Sequence, residues 1–237
     1  MIRRFFLAAP LMKERYKLEN EEYRHAKVLR LQVGDLLTLV NGKGQIAIAR
    51  VEHLSKTAID VVVESVETTQ RSPYTTCIAM ALIQPSRLEV FIEKAVEIGI
   101  DAIDFYAAEK GDKKTGAKQR AEKIAISAVK QCGRAYLPTF RYFSRLQDIP
   151  NDQNRLYYGY IGGNKQALQA GSQIEKCSCR FYIGPEKGFS EKELAHLEKW
   201  NALPVTLARH VLRAETAGML AAYFLEKNIH LPLYSSL

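Results

Sequence analysis

Long apolar runs and metal-spaced cysteines are both missing from this sequence, and each absence excludes a class of protein. No apolar run reaches the ~18 residues that a membrane-spanning helix needs, and the apolar run at the N-terminus is too short for a secretory signal. The 5 histidines and 4 cysteines (Cys77, Cys132, Cys177 and Cys179) show no metal-binding spacing. We therefore expect reduced thiols, no metal site, no membrane association and a cytoplasmic protein.

The common nucleotide-binding motifs are missing as well. No Gly-x-x-x-x-Gly-Lys-Ser/Thr occurs, so no P-loop is expected. After Ile83 the chain reads Gln-Pro-Ser-Arg rather than Gly-x-Gly-x-x-Gly, which argues against a usual dinucleotide fold at this end. No arrangement of Ser, His and Asp stands out. If the chain binds a nucleotide-like ligand, the site must lie elsewhere.

Positive charge is what the sequence has in excess. The 237 residues carry a formal net charge of +8, with a pI near 9.2. Excess positive charge favours anionic partners, with nucleic acid first among them. The alternative is a basic protein with no such partner. An apolar content of 47% supports a real core, and the length allows one large or two ordinary domains.

The predicted secondary structure changes near residue 70. Residues 1–70 contain short β-rich runs with Gly-rich turns, which predict a small β-barrel. A polar segment at 67–74 ends in a proline and reads as a linker. From Thr75 onward strands alternate with helices, which is typical of a mostly parallel sheet with helices on both faces. The predicted domains are 1–70 and 74–237.

Helix boundaries in the larger domain follow from capping signals. Ser86 with Glu89, and Ser190 with Glu193, have the spacing of capping boxes. Gly99 is expected to end the first of these helices. The predicted strands are 77–83, 100–107, 139–143, 155–160, 179–183 and 204–207. The other predicted helices are 117–132 and 214–228, the last with an apolar stripe of Ala217, Leu220, Ala221, Phe224 and Leu225.

Two glycine- and charge-containing loops follow consecutive strands near the C-terminus. One lies within 181–190 (Phe-Tyr-Ile-Gly-Pro-Glu-Lys-Gly-Phe-Ser), the other within 207–217 (Leu-Ala-Arg-His-Val-Leu-Arg-Ala-Glu-Thr-Ala). The carboxyl edge of such a sheet is where ligands bind, and glycines let backbone amides approach a ligand closely. The alternative is that each loop is an ordinary strand-to-helix turn.

At these residues the sequence resembles a known family. Gly-Pro-Glu-x-Gly-Phe-Ser followed by Leu-x-x-x-Val-Leu-Arg-x-Glu-Thr-Ala is similar to the bacterial small-subunit (16S) ribosomal RNA uridine-N3 methyltransferases of the SPOUT superfamily. Further matches are Arg3-Arg-Phe-Phe6, His25, Val28-Leu-Arg30, Gly34-Asp35, Gly42, Gly44, Gln131-Cys-Gly-Arg134 and Pro138. The resemblance implies an N-terminal PUA-like domain, a trefoil-knotted methyltransferase domain, S-adenosylmethionine as cofactor, ribosomal RNA or the small subunit as substrate, and a homodimer.

Site residues are expected in three groups. For the cofactor they come from the loops at 158–163, 184–189 and 207–213, and are Tyr158, Gly159, Ile183, Gly184, Glu186, Gly188, Leu207 and Leu212. For RNA they are Arg3, Arg4, Arg24, Lys27, Arg30 and Arg134, with Lys113 and Lys114 in a basic loop. Uridine N3 carries a proton, so a carboxylate and a cation are needed; Glu215 and Arg213 are the candidates. Alternatively, Glu215 is only a favourable charge at a helix N-terminus.

The sequence departs from the family pattern in places. Lys187 stands where glycine is usual, Ala208 replaces another glycine, His210 follows the Arg of that turn, and the strand end at 156–160 differs. These departures leave two alternatives open. One is another SPOUT enzyme, acting on a transfer RNA ribose or guanine. The other is an RNA-binding relative without turnover. The target nucleotide, and whether free RNA or an assembled subunit is the substrate, do not follow from the sequence.

Overall fold

The computed structural model describes residues 3–111, 117–160 and 167–230. The chain forms two compact units. One consists of 1–71 together with 126–137, and the other of 72–125 together with 138–237. The sequence did not predict that 126–137 groups with the N-terminal unit.

The N-terminal unit contains a five-stranded sheet and one short helix. Its elements are β1 (Arg4–Phe6), β2 (Arg15–Leu18), α1 (Asn20–Val28), β3 (Leu36–Val40), β4 (Gln45–Leu54) and β5 (Ile59–Thr68). The strand order is β1-β3-β4-β5-β2, antiparallel except for the parallel β1–β3 pair. Among the described residues β1 and β2 do not pair, so the predicted barrel is an open half-barrel.

Alternate residues of these strands form the core of the unit. In β5, Ile59, Val61 and Val63 are buried while the residues between them are more exposed. This period of two is what a strand with one covered face requires. Similar alternation in the other strands explains why the sequence of this region predicted short β-strands.

A glycine turn after β3 explains why 126–137 belongs to this unit. Gly42 and Gly44 have φ values of 68° and 99°, which favour glycine. The Gly44 amide donates to the Ala135 carbonyl at 2.9 Å, and the Tyr136 hydroxyl donates to the Thr69 carbonyl at 2.8 Å. A Cβ on Gly44 would clash with the Tyr136 ring.

The second unit is built on a parallel sheet, as predicted. Its strands are β6 (Thr76–Ala81), β7 (Ala102–Tyr106), β8 (Thr139–Phe143), β9 (Arg155–Gly159), β10 (Leu168–Gln169), β11 (Cys179–Ile183) and β12 (Leu203–Thr206). Its helices are α2 (Pro85–Ile98), the start of α3 (Ala117–Cys132), α4 (Glu191–Lys199) and α5 (Ala214–Ile229), with a short 3-10 helix at Leu146–Asp148. The strand order is β10-β12-β9-β11-β6-β7-β8, and every pairing is parallel.

Helices cover both faces of this sheet. α2 and α5 pack together, and α5 contacts β6 and β11 on one face. On the other face Leu146 and Leu197 share a buried cluster with Ala79 and Tyr182. None of the helices within the described ranges is long and apolar enough to cross a membrane. The trefoil knot implied by the resemblance stays a prediction.

One capping prediction is confirmed and the other is wrong. The Ser190 hydroxyl accepts from the Glu193 amide at 3.1 Å, and the Glu193 carboxylate accepts from the Ser190 amide at 2.8 Å. By contrast α2 begins at Pro85, with Gln84 as its N-cap and no side-chain cap. Proline suits the first helical position because its φ is already helical and it lacks the N–H that would be unpaired there. Ser86 therefore lies inside the helix.

The stripe predicted for α5 also needs correction. Leu220 is 37% exposed, whereas Gly218 is buried. A Cβ at Gly218 would lie 2.6 Å from the Phe91 ring, so only glycine lets α5 approach α2 this closely. The helix thus packs through small residues, a contact that an apolar-periodicity argument overlooks.

Candidate functional site

A cavity of about 430 Å³ opens at the carboxyl edge of the parallel sheet. The loops after β9, β11 and β12 form its wall, and the first turns of α5 close one side. These three strands are neighbours in the sheet, so their carboxyl ends meet at one place. The lining residues are Gly159, Tyr160, Ile183, Gly184, Pro185, Glu186, Gly188, Phe189, Val205, Thr206, Leu207, Ala208, Arg209, His210, Val211, Leu212, Ala214 and Ala217.

Most residues predicted for the cofactor line this cavity. They are Gly159, Ile183, Gly184, Glu186, Gly188, Leu207 and Leu212. Tyr158 does not line it. Its buried ring lies edge-on to Phe189, with 6.1 Å between the ring centroids, and Phe189 itself forms part of the wall.

The backbone of the loop after β11 is closely packed. A Cβ on Gly184 would lie 3.3 Å from the Phe189 ring. Gly188, at φ 72°, donates its amide to the Pro185 carbonyl at 2.8 Å and closes a tight turn. Ala208, where the family usually has glycine, is not among the described residues with positive φ. The change to alanine therefore requires no backbone strain at that position.

Tyr106 fixes the end of β11 from behind. Its buried hydroxyl donates to the Ile183 carbonyl at 3.0 Å, immediately before Gly184. Burial raises the pKa of Tyr106 well above its ordinary value, so the hydroxyl keeps its proton and remains a donor. Sequence reasoning missed this residue because its partner lies on another strand.

An arginine that the sequence analysis did not single out joins the two carboxylates of the predicted site. Arg87, near the start of α2, forms an ion pair with Glu186, and its Nε lies 3.9 Å from Oε1 of Glu215. The Glu215 side chain is 12% exposed, and its Oε2 is buried without a hydrogen-bond partner among the described residues. No local sequence motif indicates that Arg87 belongs to this site, because Arg87 and Glu215 are far apart in sequence.

The two predicted catalytic residues lie at the start of α5 but differ in environment. Arg213 is its N-cap, is exposed, and does not line the cavity, although Leu212 and Ala214 on either side of it do. Glu215 does not line the cavity either; it lies in the first turn of α5, where a negative charge interacts favourably with the helix dipole, and its side chain is largely buried. The helix-terminus interpretation of Glu215 therefore stays open beside the catalytic one.

A second cavity, of about 200 Å³, lies on the other side of the loop after β11. It is lined by Leu82, Ile83, Gln84, Arg87, Lys110, Gly111, Pro185, Glu186 and Lys187, so it shares Pro185 and Glu186 with the first cavity. The Lys110 ammonium donates to the Phe189 carbonyl at 3.0 Å, and the Glu109 amide donates to Glu193 at 3.1 Å. These two bonds tie the loop after β7 to the loop after β11 and to the first turn of α4.

In the N-terminal unit, two of the predicted RNA-binding arginines make contacts within the unit. Arg3 forms a 2.7 Å ion pair with Asp35, and its hydrogen bond lowers the pKa of that carboxyl. Arg4 donates to the carbonyls of Gln131 at 2.7 Å and Lys130 at 3.4 Å. Both side chains therefore have a structural use that the sequence did not reveal.

Three of the other predicted cations of this unit are more available. Arg24, Lys27 and Arg30 are exposed on or just after α1, and the Lys27 ammonium lies 4.8 Å from the centroid of the Tyr23 ring. Arg134 is half-buried. Lys113 and Lys114 lie outside the described residues, so their role stays a prediction.

The remaining reactive or metal-ligating side chains are the histidines, carboxylates and cysteines elsewhere in the described part of the chain. No group of His, Cys, Asp and Glu residues within the described ranges could hold a metal ion. The four cysteines are free thiols, two of them buried.

Comparison with known proteins gives the family. The model of the RNA methyltransferase domain matches residues 70–226, and that of the RNA methyltransferase PUA domain matches residues 18–64. The chain belongs to the RNA methyltransferase family. The first match contains every residue that lines the large cavity.

Individual relatives extend this family assignment over nearly the whole chain. "Ribosomal RNA small subunit methyltransferase E" from Buchnera aphidicola is 26% identical over 93% of this chain and 91% of its own length. The protein of the same name from Bacillus subtilis is 29% identical over 87% of both chains. A crystal structure of such an enzyme from Neisseria gonorrhoeae, bound to S-adenosyl methionine, matches with a TM-score of 0.85 and 26% identity, covering 97% of this chain and 98% of that one.

Proposed function

We propose that this RNA methyltransferase uses S-adenosylmethionine to methylate N3 of a uridine in small-subunit (16S) ribosomal RNA. The observation that carries the proposal is the cavity at the carboxyl ends of β9, β11 and β12, lined by seven of the eight residues predicted for the cofactor. The relatives named for small-subunit RNA methylation, and the cofactor in the Neisseria structure, support the same proposal.

The cavity suits a ligand of this kind. Its volume of about 430 Å³ falls within the roughly 300–1,000 Å³ of small-molecule sites. Ile183, Leu207 and Leu212 supply apolar walls for an adenine ring, while the Gly184 and Gly188 turn leaves backbone within reach of polar groups. When bound, S-adenosylmethionine supplies a methyl group on an electron-deficient sulfur.

The residues at the start of α5 suit the proton chemistry of uridine N3. N3 gives its proton to a carboxylate and forms its new bond to the methyl carbon with the electron pair left behind; the pair of the broken methyl–sulfur bond stays on sulfur. We assign the proton to Glu215, whose buried Oε2 lacks a hydrogen-bond partner in the described part of the chain. Arg213, next to the cavity wall and exposed, is the candidate for a cation at the RNA substrate.

The rest of the proposal concerns RNA, location and assembly. The PUA unit offers Arg24, Lys27 and Arg30 to phosphates, and a ribosomal RNA substrate implies a cytoplasmic protein.

On α5, Leu220 and Tyr223 are 37% and 53% exposed, and we propose that they contribute to a homodimer. Sedimentation of a Tyr223→Glu variant checks this, because a charge at the centre of an apolar interface would shift a dimer toward monomer.

Methylation of assembled small subunits, followed by identification of the product nucleoside, tests the function. We expect 3-methyluridine. A methylated ribose or guanine in transfer RNA would favour another SPOUT activity instead. Binding of RNA without binding of S-adenosylmethionine in calorimetry would identify a binding protein and overturn the enzyme proposal.

A further inference from the structure

The second cavity is next to the cavity proposed for S-adenosylmethionine, where the group that accepts the methyl has to bind. It opens at the carboxyl ends of β11, β6 and β7, and the first cavity at those of β12, β9 and β11. β11 is therefore common to both, and Pro185 and Glu186 of its loop line both cavities. The two cavities are adjacent, so groups bound in them lie next to each other.

Size and charge limit what the second cavity can take. At about 200 Å³ it has less than half the volume of the first, about 430 Å³, so it suits a single ring rather than a second nucleotide-sized cofactor. Its wall carries three cations, Arg87, Lys110 and Lys187, against one carboxylate, Glu186. Leu82 and Ile83 add an apolar surface for the face of a ring.

Arg87 is held in place before any substrate arrives. Glu186 and Glu215 contact its guanidinium from different elements, and the side chain is only 28% exposed. Arginine has five N–H donors, and the hydrogen bond from Arg87 to Glu186 uses one of them, at Nη1. A fixed donor of this kind can meet a carbonyl oxygen on which negative charge develops, without reorganising during the reaction.

We propose that the second cavity binds the target uracil ring, and that Arg87 donates to one of its carbonyl oxygens. The proposal rests on the proposed function, and it adds where the base lies and which cation meets it. Loss of the N3 proton spreads negative charge over O2 and O4, the atoms that a guanidinium can contact. Arg87 is then the inner cation of the site, linked to the proton acceptor Glu215 by their ion pair.

Binding of small probes tests the location without relying on turnover. The full chain, saturated with S-adenosylhomocysteine and labelled with nitrogen-15, is titrated with uridine, cytidine or inorganic phosphate. We expect uridine to shift the signals of the Arg87 Nε–H and the Gln84 side-chain amide, cytidine to shift them less because it lacks O4 and the N3 proton, and phosphate to leave them in place. Equal shifts with phosphate would indicate an RNA backbone site and overturn the proposal. So would the absence of any shift with millimolar uridine.

Kinetics with assembled subunits test the role of Arg87. Arg87→Gln should lower kcat by roughly 100- to 1,000-fold, as loss of one oxyanion donor does, with a much smaller change in KM for the subunit. The rate should stay low at high pH, since the anion lacks its donor, and Arg87→Lys should recover part of it. The matched control is Arg145→Gln, which breaks an exposed ion pair with Asp148 in the same unit.

The outcomes separate this inference from the function on which it rests. If the wild-type chain yields no 3-methyluridine, the proposed function fails, while the uridine titration still reports on the base site. If the wild type is active and Arg87→Gln is as active as Arg145→Gln, only the inference fails. If Arg87→Gln lowers the melting temperature and raises KM with kcat unchanged, Arg87 has a merely structural role and the proposal is overturned.

Discussion

At the scale of single residues, Glu215 presents the sharpest question. One oxygen lies near Arg87, while the other is buried without a hydrogen-bond partner among the described residues. A buried acceptor with no donor normally destabilises a fold. Such a cost is understandable if the substrate supplies the missing proton. A favourable charge at the helix N-terminus accounts for the position of Glu215 but not for the unpaired oxygen.

The first prediction is therefore that Glu215→Gln removes turnover but not cofactor binding. Glutamine keeps the shape and loses the basic oxygen, so we expect turnover to fall by roughly 100- to 10,000-fold. The remaining rate should rise with pH, because uridine then ionises without help. Rates on assembled subunits across pH, with calorimetry for S-adenosylmethionine, provide the measurement. Full activity together with a lower melting temperature would make Glu215 a helix-terminus residue.

Gly184 gives the second prediction. A Cβ there lies 3.3 Å from the Phe189 ring, and the larger side chain of Gly184→Val would extend into the cavity wall. Binding of S-adenosylmethionine should be lost while the protein stays folded. The matched control is Gly171→Val, since a Cβ at Gly171 meets nothing within 4 Å. An unchanged calorimetric titration of Gly184→Val would place the cofactor elsewhere.

Local motifs and long-range partners differed in how well the sequence revealed them. Gly184, Glu186 and Gly188 were predictable because a strand, a turn and a helix start follow one another within ten residues. Arg87 was not, because it reaches the site only when β6 and β11 lie side by side. The same holds for Tyr106, which meets Ile183 from another strand.

At the scale of elements, four strands are joined by a buried ionic cluster. The carboxylate of Asp104 on β7 accepts from Arg141 on β8 at 2.7 and 2.8 Å and lies 3.1 Å from Nε of Arg180 on β11. The Cys77 thiol on β6 donates to it at 3.3 Å. Asp104 and Arg180 are fully buried. The cluster therefore joins β6, β7 and β11, the strands whose carboxyl ends form the second cavity, to the edge strand β8.

We predict that Asp104→Asn strongly destabilises the protein. Removing one partner of a buried ion pair leaves an uncompensated charge, which typically costs about 3–5 kcal/mol. The control is Asp148→Asn, where the ion pair with Arg145 is exposed and screened by solvent, so its loss should have a much smaller effect. Urea unfolding at pH 7 measures both. Equal effects in the two variants would show that the buried cluster adds no special stability.

Asp152, at the rim of this cluster, gives a pH-dependent prediction. Desolvation opposes its charged form, but the ion pairs with Arg180 and Arg141 outweigh this and lower its pKa below the ordinary 3.8. A lowered carboxyl pKa stabilises the fold above the unfolded value, and the stabilisation disappears as pH falls through the folded value. Asp152→Asn should therefore lower the free energy of unfolding at pH 7 by about 1 kcal/mol or less, because the side chain is 41% exposed.

Urea titrations of the wild type and Asp152→Asn from pH 7 downward check this sign. The difference between the two proteins should be constant at neutral pH and shrink below about pH 3.8. A difference that grows on acidification would contradict the assignment of the lowered pKa to the ion pairs.

At the scale of the whole molecule, the sequence predicted the order of elements well and the grouping of segments less well. β7, β9 and β11 were readable because each is a mostly buried run bounded by turns, and Gly99 ended α2 as expected. The edge strands β2 and β10 were missed because they are short and largely exposed. The placement of 126–137 depends on tertiary contacts such as Gly44 with Ala135, which leave no local pattern.

The final prediction concerns which of the positive charges behind the net charge of +8 contact the RNA. Arg24, Lys27 and Arg30 are exposed in the PUA unit, so replacing all three with Ala should weaken RNA binding and flatten its salt dependence by up to about three charges. Phosphate contacts position the RNA without taking part in the chemistry. We therefore expect a higher KM for the subunit, an unchanged kcat and an unchanged affinity for S-adenosylmethionine.

A control variant with the same loss of charge distinguishes direct contacts between these side chains and the RNA from attraction of the RNA by the overall positive charge of the protein. Lys176, Lys192 and Lys199 are exposed in the second unit, outside both cavities, and their replacement with Ala also removes three positive charges. Affinity for a small-subunit RNA fragment, measured by fluorescence anisotropy at several salt concentrations, compares the two triple variants. Exposed charges that do not contact the RNA are largely screened at 0.1 M salt, where the Debye length is about 10 Å, so we expect only the variant at Arg24, Lys27 and Arg30 to lose affinity strongly at that salt. Equal losses in both variants would mean that overall charge attracts the RNA and that α1 makes no specific contact.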